Sequence, residues 1–143
     1  MVRKILAVVV GIVAGSIVNM AIVTLSNNLY PYPETVDPND FDAVRAHIEA
    51  NGMAMGAMLL ILAAHSLGSL ASGLVCGLIA KRPWYAAAIG LGLLWTAGGI
   101  AMLMILPAPL WFQITDVVLY VPAAILGVMI GGGITATKVA GDT

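Results

Sequence analysis

Four long stretches without a single Asp, Glu, Lys or Arg make up most of this 143-residue chain. They cover residues 5–33, 50–80, 83–115 and 117–137. A transmembrane helix needs about 20 mostly apolar residues to cross roughly 30 Å of hydrocarbon, so each stretch is long enough to cross once. The composition agrees, with 61% hydrophobic and 9% charged residues. The sequence therefore predicts an all-α membrane protein, a four-helix transmembrane bundle forming a single domain over residues 1–143.

We place the spans at about residues 5–27, 52–80, 84–106 and 115–137, with an outside loop at 28–51. Five of the six basic residues then fall on one side of the membrane: Arg3, Lys4, Lys81, Arg82 and Lys138. Only Arg45 lies on the other side. The positive-inside rule makes the basic side the cytoplasm. We therefore expect a multi-pass protein of the bacterial inner membrane with both termini cytoplasmic. Membrane lipid is then an expected partner.

The basic N-terminus followed by an apolar run is also typical of a signal peptide. The run continues from Ile5 to about Leu25, which is longer than the roughly 7–15 residues of a signal-peptide core. We therefore interpret it as a retained span.

The outside loop contains one predicted helix. Asp37 precedes Pro38, and this order is typical of an N-cap residue followed by the first helical position. A helix over about residues 38–50 would place Phe41, Val44 and Ile48 on one face. The pattern predicts a short amphipathic extracytoplasmic helix, either a connector on the membrane surface or a lid over the bundle. Residues 107–112 are expected to form the second outside turn.

Small residues at four-residue spacing recur in the spans and predict close helix packing, because lipid-embedded helices associate by backbone approach and hydrogen bonding. The predicted packing positions are Gly11, Gly15, Gly68, Ser72, Gly127 and Gly131. The second span carries two adjoining small faces, which predicts a central position in the bundle. Some of these faces could equally support a homo-oligomer or a larger membrane complex.

Ionisable residues inside a membrane are costly and are functional candidates. Two fall within the spans: His65 near the centre of span two, and Asp116, expected in the first turn of span four, where it could simply cap the helix. Tyr120 lies one turn deeper on the same face as Asp116. A candidate polar cluster therefore comprises His65, Asn19, Ser16, Tyr120, Asp116 and Thr96. As a structural residue, His65 would be neutral and would donate to Asn19, Ser16 or a carbonyl.

Several function classes are disfavoured. Cys76 is the only cysteine, so thiol pairs for redox chemistry are missing, and the second imidazole, His47, lies in the loop, so we predict no metal site. Small multidrug transporters have four spans but rely on a glutamate in span one, which is absent here. No nucleophile elbow or phosphate-binding pattern occurs. We predict no catalytic residue, no cofactor and no nucleic-acid partner.

The chain resembles a group of small four-span bacterial membrane proteins that lack an assigned role. The resemblance rests on residues 11–20 (GIVAGSIVNM), 36–40 (VDPND), 65–68 (HSLG) and 107–112 (PAPLWF) leading to Asp116. It implies the four-span architecture and no particular activity.

Two function classes remain. The low number of buried polar residues favours a non-catalytic structural or accessory subunit that packs through its small-residue faces. The alternative is a small oligomeric transporter or channel for protons, ions or a small solute, using the polar cluster around His65.

Overall fold

The computed structural model describes residues 2–141, with the side chains of residues 2–135, and over that range it is all-helical. The helices are α1 (Val2–Leu29), α2 (Phe41–Asn51), α3 (Met55–Ala80), α4 (Tyr85–Ile105) and α5 (Leu110–Gly141). The four helices α1, α3, α4 and α5 are long and apolar enough to cross a membrane. The predicted fold class, a four-helix bundle with one short additional helix, is confirmed.

Helix α3 is the centre of the bundle. It packs along its length against α1 on one side and α5 on the other, while α4 packs mainly on α5 and barely touches α1. The small residues explain this order, since a Cβ added at Gly127 or Gly131 of α5 would overlap the carbonyl oxygen of Leu70 or Leu74 on α3. On the other side, a Cβ at Gly15 of α1 would overlap the Gly68 carbonyl. The α3 contacts are therefore made between backbones.

The end of the bundle at which α3 leads into α4 also holds the start of α1. There the Arg3 guanidinium donates to the carbonyl oxygen of Ala80, and the Lys4 ammonium lies 5.6 Å from the centre of the Trp84 ring. We call this the basic end, and the opposite end, which carries α2, the loop end. Toward the basic end, Cys76, Leu91 and Val128 are buried between the helices and are no more than 2% exposed.

Helix α2 begins later than the sequence suggests. Its N-cap is Asp40, whose carboxylate accepts hydrogen bonds from the backbone N–H groups of Asp42 and Ala43 at 3.0 and 3.2 Å. The predicted N-cap, Asp37, is wrong, because its carboxylate instead accepts from Asn39 in the preceding turn. The predicted amphipathic face is present in part: Val44 and Ile48 are buried, while Phe41 is about half exposed.

Helix α5 begins earlier than the sequence suggests. It starts at Leu110, directly after Pro109, so Trp111 and Phe112 belong to the helix rather than to the turn that we predicted. Asp116 is therefore six residues from the start, about 9 Å along the axis at 1.5 Å per residue. The interpretation of Asp116 as a first-turn helix cap is wrong for this reason.

Orientation in the membrane can be tested by labelling. In a Cys76→Ala background, single cysteines would be introduced as Thr35→Cys, Lys81→Cys and Thr143→Cys; Thr35 and Lys81 are exposed at opposite ends of the bundle, and Thr143 lies outside the described residues. A membrane-impermeant thiol reagent applied to intact cells is expected to label position 35 alone. Labelling at 81 or 143 before lysis would contradict a cytoplasmic basic end.

Candidate functional site

His65 of α3 and Asp116 of α5 form a close polar pair inside the bundle. The His65 Nδ1 lies 2.7 Å from Asp116 Oδ1. The Tyr120 hydroxyl lies 2.8 Å from the same Nδ1 and donates to Asp116 Oδ2 at 3.0 Å. The His65 and Tyr120 rings stack with centroids 5.5 Å apart and planes inclined by 30°. We call these three residues the His–Asp–Tyr cluster.

The hydrogen-bond geometry defines the protons of the cluster. An ionised carboxylate only accepts hydrogen bonds, so with Asp116 ionised the Nδ1–H of His65 and the hydroxyl of Tyr120 both donate to it. This arrangement leaves Nε2 as the nitrogen of His65 that is free to exchange a proton or bind a ligand. Among the described residues Nε2 has no hydrogen-bond partner.

The register between α3 and α5 brings the cluster together. Asp116 and Tyr120 are four residues apart and share a face of α5, and His65 and Ser69 do the same on α3. The Ser69 hydroxyl donates to the Tyr120 carbonyl oxygen at 2.7 Å, one turn below the His65–Asp116 contact. Both pairs span 51 positions in the sequence. The second hydrogen bond therefore holds the helices at the register that the first one needs.

The three side chains differ in their access to solvent. Asp116 and Tyr120 are each 1% exposed, whereas the side chain of His65 is 17% exposed. Tyr120 lies over Gly99 of α4, where an added Cβ would overlap the phenol oxygen. The imidazole of His65 is thus the most exposed member of the cluster, and it connects the buried carboxylate of Asp116 to the solvent-accessible space.

A cavity of about 220 Å³ extends from His65 and Asp116 to the loop end. Its walls come from all five helices and the three loops at that end, and they are mostly apolar. The apolar and aromatic lining includes Val23, Phe41, Val44, Met53, Ile61, Met102, Leu103 and Phe112. Asn27 and Tyr32 are the polar residues nearer its mouth. Helix α2 contributes Phe41 and Val44 and so forms part of the wall at the loop end.

A second cavity of about 210 Å³ adjoins the first beneath residues 30–32 and shares Asn27 and Tyr32 with it. Burial raises the pKa of the Tyr32 phenol, so this group stays neutral at physiological pH. Its ring meets the His47 ring edge-on, with centroids 5.7 Å apart. Sequence reasoning missed Tyr32 and Asn27, although the paired tyrosines and prolines of residues 30–33 are a signal of an ordered segment.

The loop end carries an excess of negative charge. Residues 34–49 contain five acidic residues and one basic residue, Arg45. The Arg45 guanidinium pairs with Glu49 of its own helix at 3.1 Å, on the exposed face of α2. Neither side chain lines the cavity, and the described residues that do line it include no Lys or Arg. The approach to the cavity therefore favours cations.

Three other members of the predicted polar cluster lie apart from His65. Thr96 donates to the Gly92 carbonyl of its own helix at 2.8 Å, and Ser16 is exposed on the surface of α1. Asn19 packs beside Gly68, and its amide nitrogen is buried without a hydrogen-bond partner among the described residues. The predicted pairing of His65 with Asn19 or Ser16 is therefore wrong. At this depth the hydrogen bond between α4 and α3 is made by Trp95, which donates to the Ser72 hydroxyl at 2.9 Å.

Within the described part of the chain, no group of three or more His, Cys, Asp or Glu side chains is placed to hold a metal ion. The His–Asp–Tyr cluster offers one imidazole and one carboxylate, which is too few ligands for a closed zinc site. It presents one carboxylate, one imidazole and one phenol as hydrogen-bonding groups.

Comparison with protein-family models, curated proteins and solved structures finds no match. The resemblance to small four-span bacterial membrane proteins stays a prediction.

Proposed function

We propose that the protein is a small membrane transporter that exchanges a proton on the His65–Asp116 pair for a small cationic solute with a mostly apolar body. The observation that carries this proposal is the position of the pair. An ionisable, hydrogen-bonded couple lies at the base of a cavity whose other walls are mostly apolar and that leads to the acidic loop end. Stability alone would be served as well by an apolar contact, since buried ion pairs are weak contributors to stability.

Charge balance in the buried site couples proton release to cation binding. When both His65 nitrogens are protonated and Asp116 is ionised, the pair has no net charge. Loss of the Nε2 proton leaves one uncompensated negative charge, and an isolated charge is costly in a low-dielectric interior. A monovalent cation in the cavity would compensate that charge. Proton release and cation binding therefore favour each other, one for one.

The walls of the cavity suit such a solute. The Phe41, Phe112 and Tyr32 rings can contact an organic cation through their negative faces, while the aliphatic lining contacts its apolar body. A doubly charged or strongly hydrated ion would find too few oxygen ligands here. The proposed substrate class is accordingly a small aryl or alkyl ammonium.

Transport also requires that the site open to the basic end. In this structure that route is closed by the packing of Cys76, Leu91 and Val128 below the cluster. The conformation thus corresponds to a cavity directed at the loop end. The alternation would need α2 to seal the cavity and α1 or α4 to separate from the tightly packed α3–α5 pair.

The proposal can be tested in vesicles that contain the purified protein and a pH-sensitive dye. With an acidic interior, external phenyltrimethylammonium is expected to drive protons out of the vesicles, whereas the neutral benzyl alcohol should not. His65→Gln and Asp116→Asn should abolish this proton release, because neither variant can form the pair. Tyr120→Phe should reduce it roughly ten- to hundredfold, since a hydrogen bond to a charged group contributes roughly 1.5–3 kcal/mol.

Thr96→Val is the matched control for these variants. Thr96 bonds only to its own helix, and the substitution keeps the shape of the side chain. Proton release by this variant should equal that of the wild type. A cation-driven proton flux that is absent from the wild type, or unchanged by Asp116→Asn, would overturn the proposal.

A structural or accessory subunit is the second candidate. The loop-end half of α4 presents Ala97, Gly98 and Ala101 on its exposed surface, and a Cβ at Gly98 would meet nothing within 4 Å. Exposed small residues are typical of helix surfaces that pack against another transmembrane helix. For this function, Gly98→Leu should abolish co-purification of a partner from native membranes in mild detergent while leaving the isolated protein stable.

A further inference from the structure

The basic end contains a concave site lined by cations. A cavity of about 390 Å³ is bounded by Arg3, Lys4, Ala80, Arg82 and Trp84. Lys4 lies 5.6 Å and the Arg82 guanidinium 5.9 Å from the centre of the Trp84 ring. Among the described residues, the lining contains no acidic side chain. Three like charges are thus held around one space without a counter-charge among the lining residues.

The local structure adds to this positive potential. Helix α4 begins at Tyr85, and its N-cap residue, Trp84, makes no side-chain hydrogen bond to the first turn. The N–H groups of that turn carry the positive end of the helix dipole and point toward the same side as the cations. Arg3 donates to the Ala80 carbonyl and so already satisfies the end of α3. An anion with several oxygen acceptors fits this combination of donors.

A second, apolar groove starts at the same tryptophan. It has a volume of about 260 Å³ and runs between α1 and α4, which barely touch each other. Its lining comprises Val8, Ile12, Trp84, Ala86, Ala87, Gly90, Leu91 and Leu94, all of them without charge. Gly90 keeps the groove open, because a Cβ there would meet nothing within 4 Å. The cationic cavity and the apolar groove are thus joined at Trp84.

We infer that this joint site binds one anionic phospholipid from the leaflet at the basic end. Its phosphate lies among Arg3, Lys4 and Arg82, and one acyl chain lies in the groove between α1 and α4. Basic pockets between transmembrane helices suit anionic lipid headgroups, and the groove accounts for the chain that free phosphate lacks. A zwitterionic lipid would place its own cation among the three basic side chains. The bound chain fills the space between α1 and α4, which barely touch each other.

The experiment measures thermal unfolding of the detergent-purified protein, and binding by native mass spectrometry, with added phosphatidylglycerol, phosphatidylcholine or inorganic phosphate. Phosphatidylglycerol is expected to raise the unfolding temperature and to remain bound. Phosphatidylcholine and inorganic phosphate should do neither. Lys4→Gln and Arg82→Gln should each weaken binding of phosphatidylglycerol about fivefold, as expected for the loss of one basic residue near a membrane surface.

Matched variants separate the charge from the groove. Gly90→Leu fills the groove without altering any charge and should abolish retention of the lipid, whereas Gly98→Leu, an open position on the same helix, should not. Arg45→Gln, at the loop end, controls for loss of a positive charge. Equal stabilisation by phosphatidylcholine, displacement of the lipid by phosphate, or full retention in Gly90→Leu would each overturn the inference. None of these outcomes bears on the His65–Asp116 pair.

Discussion

Gly127→Leu is expected to destabilise the bundle by about 3 kcal/mol, at the upper end of the effects of overpacking. A Cβ at this position would overlap the carbonyl oxygen of Leu70 and lie 2.7 Å from the backbone nitrogen of Leu74. These are backbone atoms of α3 and cannot rotate away. The two helices would have to separate, which would also weaken the contacts on either side of the substitution.

Thermal unfolding in detergent gives the measurement, with Gly98→Leu as the control that meets nothing within 4 Å. Gly68→Leu should fall between the two. A Cβ there would lie 3.1 Å from the Asn19 Cβ and 3.2 Å from the Trp95 ring, and the remainder of a leucine would need more room still. Equal unfolding temperatures for Gly127→Leu and Gly98→Leu would contradict the backbone contact between α3 and α5.

His65→Leu is expected to cost about 3 kcal/mol, more than an ordinary interhelical hydrogen bond in a membrane, which averages well under 2. The reason is that Asp116 is 1% exposed and would lose its donor from His65. The carboxyl can take up a proton, so the effect should stay at the low end of the roughly 3–5 kcal/mol for broken buried pairs.

A double-mutant cycle separates pairing from size. In a Tyr120→Phe background, which removes the remaining hydroxyl, Asp116→Leu added to His65→Leu should recover most of the lost stability, because no polar group is then left buried without a partner. The comparison requires unfolding of all four proteins under one condition. Strictly additive effects would mean that the two side chains do not interact in the folded protein.

The spans could be predicted because the length of an apolar stretch and its lack of charge can be read directly from the sequence. The depth of Asp116 could not, because it depends on where α5 begins. Pro109 permits a start at Leu110, and nothing in the apolar run to Thr115 distinguishes that start from a later one. A difference of five residues moves Asp116 from the membrane surface to the level of His65.

The rotation of each helix about its axis was harder to predict than the position of the spans. In a membrane both faces of a helix are apolar, so the polarity contrast that orients helices in water-soluble proteins is missing. The small residues supplied the orientation of α3 and α5 correctly. On α1 they could not show that Ser16, next to Gly15, faces outward. The partners of His65 were misassigned for that reason.

The choice between Asp37 and Asp40 as the cap of α2 illustrates a second limit. Both residues precede a segment that can form a helix, and Asp37 has the added signal of Pro38. The hydrogen bonds of the folded chain distinguish the two residues: Asp40 accepts from the N–H groups of Asp42 and Ala43, whereas Asp37 accepts from Asn39. The cavity has walls from five helices and three loops, so no local pattern could have revealed it.

The glycine contacts between α3 and α5 run in both directions. Gly73 and Gly77 of α3 lie against the Ala124 and Val128 carbonyls of α5, just as the α5 glycines lie against carbonyls of α3. These reciprocal glycine contacts prevent α3 and α5 from sliding along each other, because a shift of one residue would bring a side chain onto a carbonyl oxygen. The pair is a rigid frame of fixed register. The His–Asp–Tyr cluster is built across this frame, so its three side chains keep their relative positions as long as α3 and α5 stay in contact.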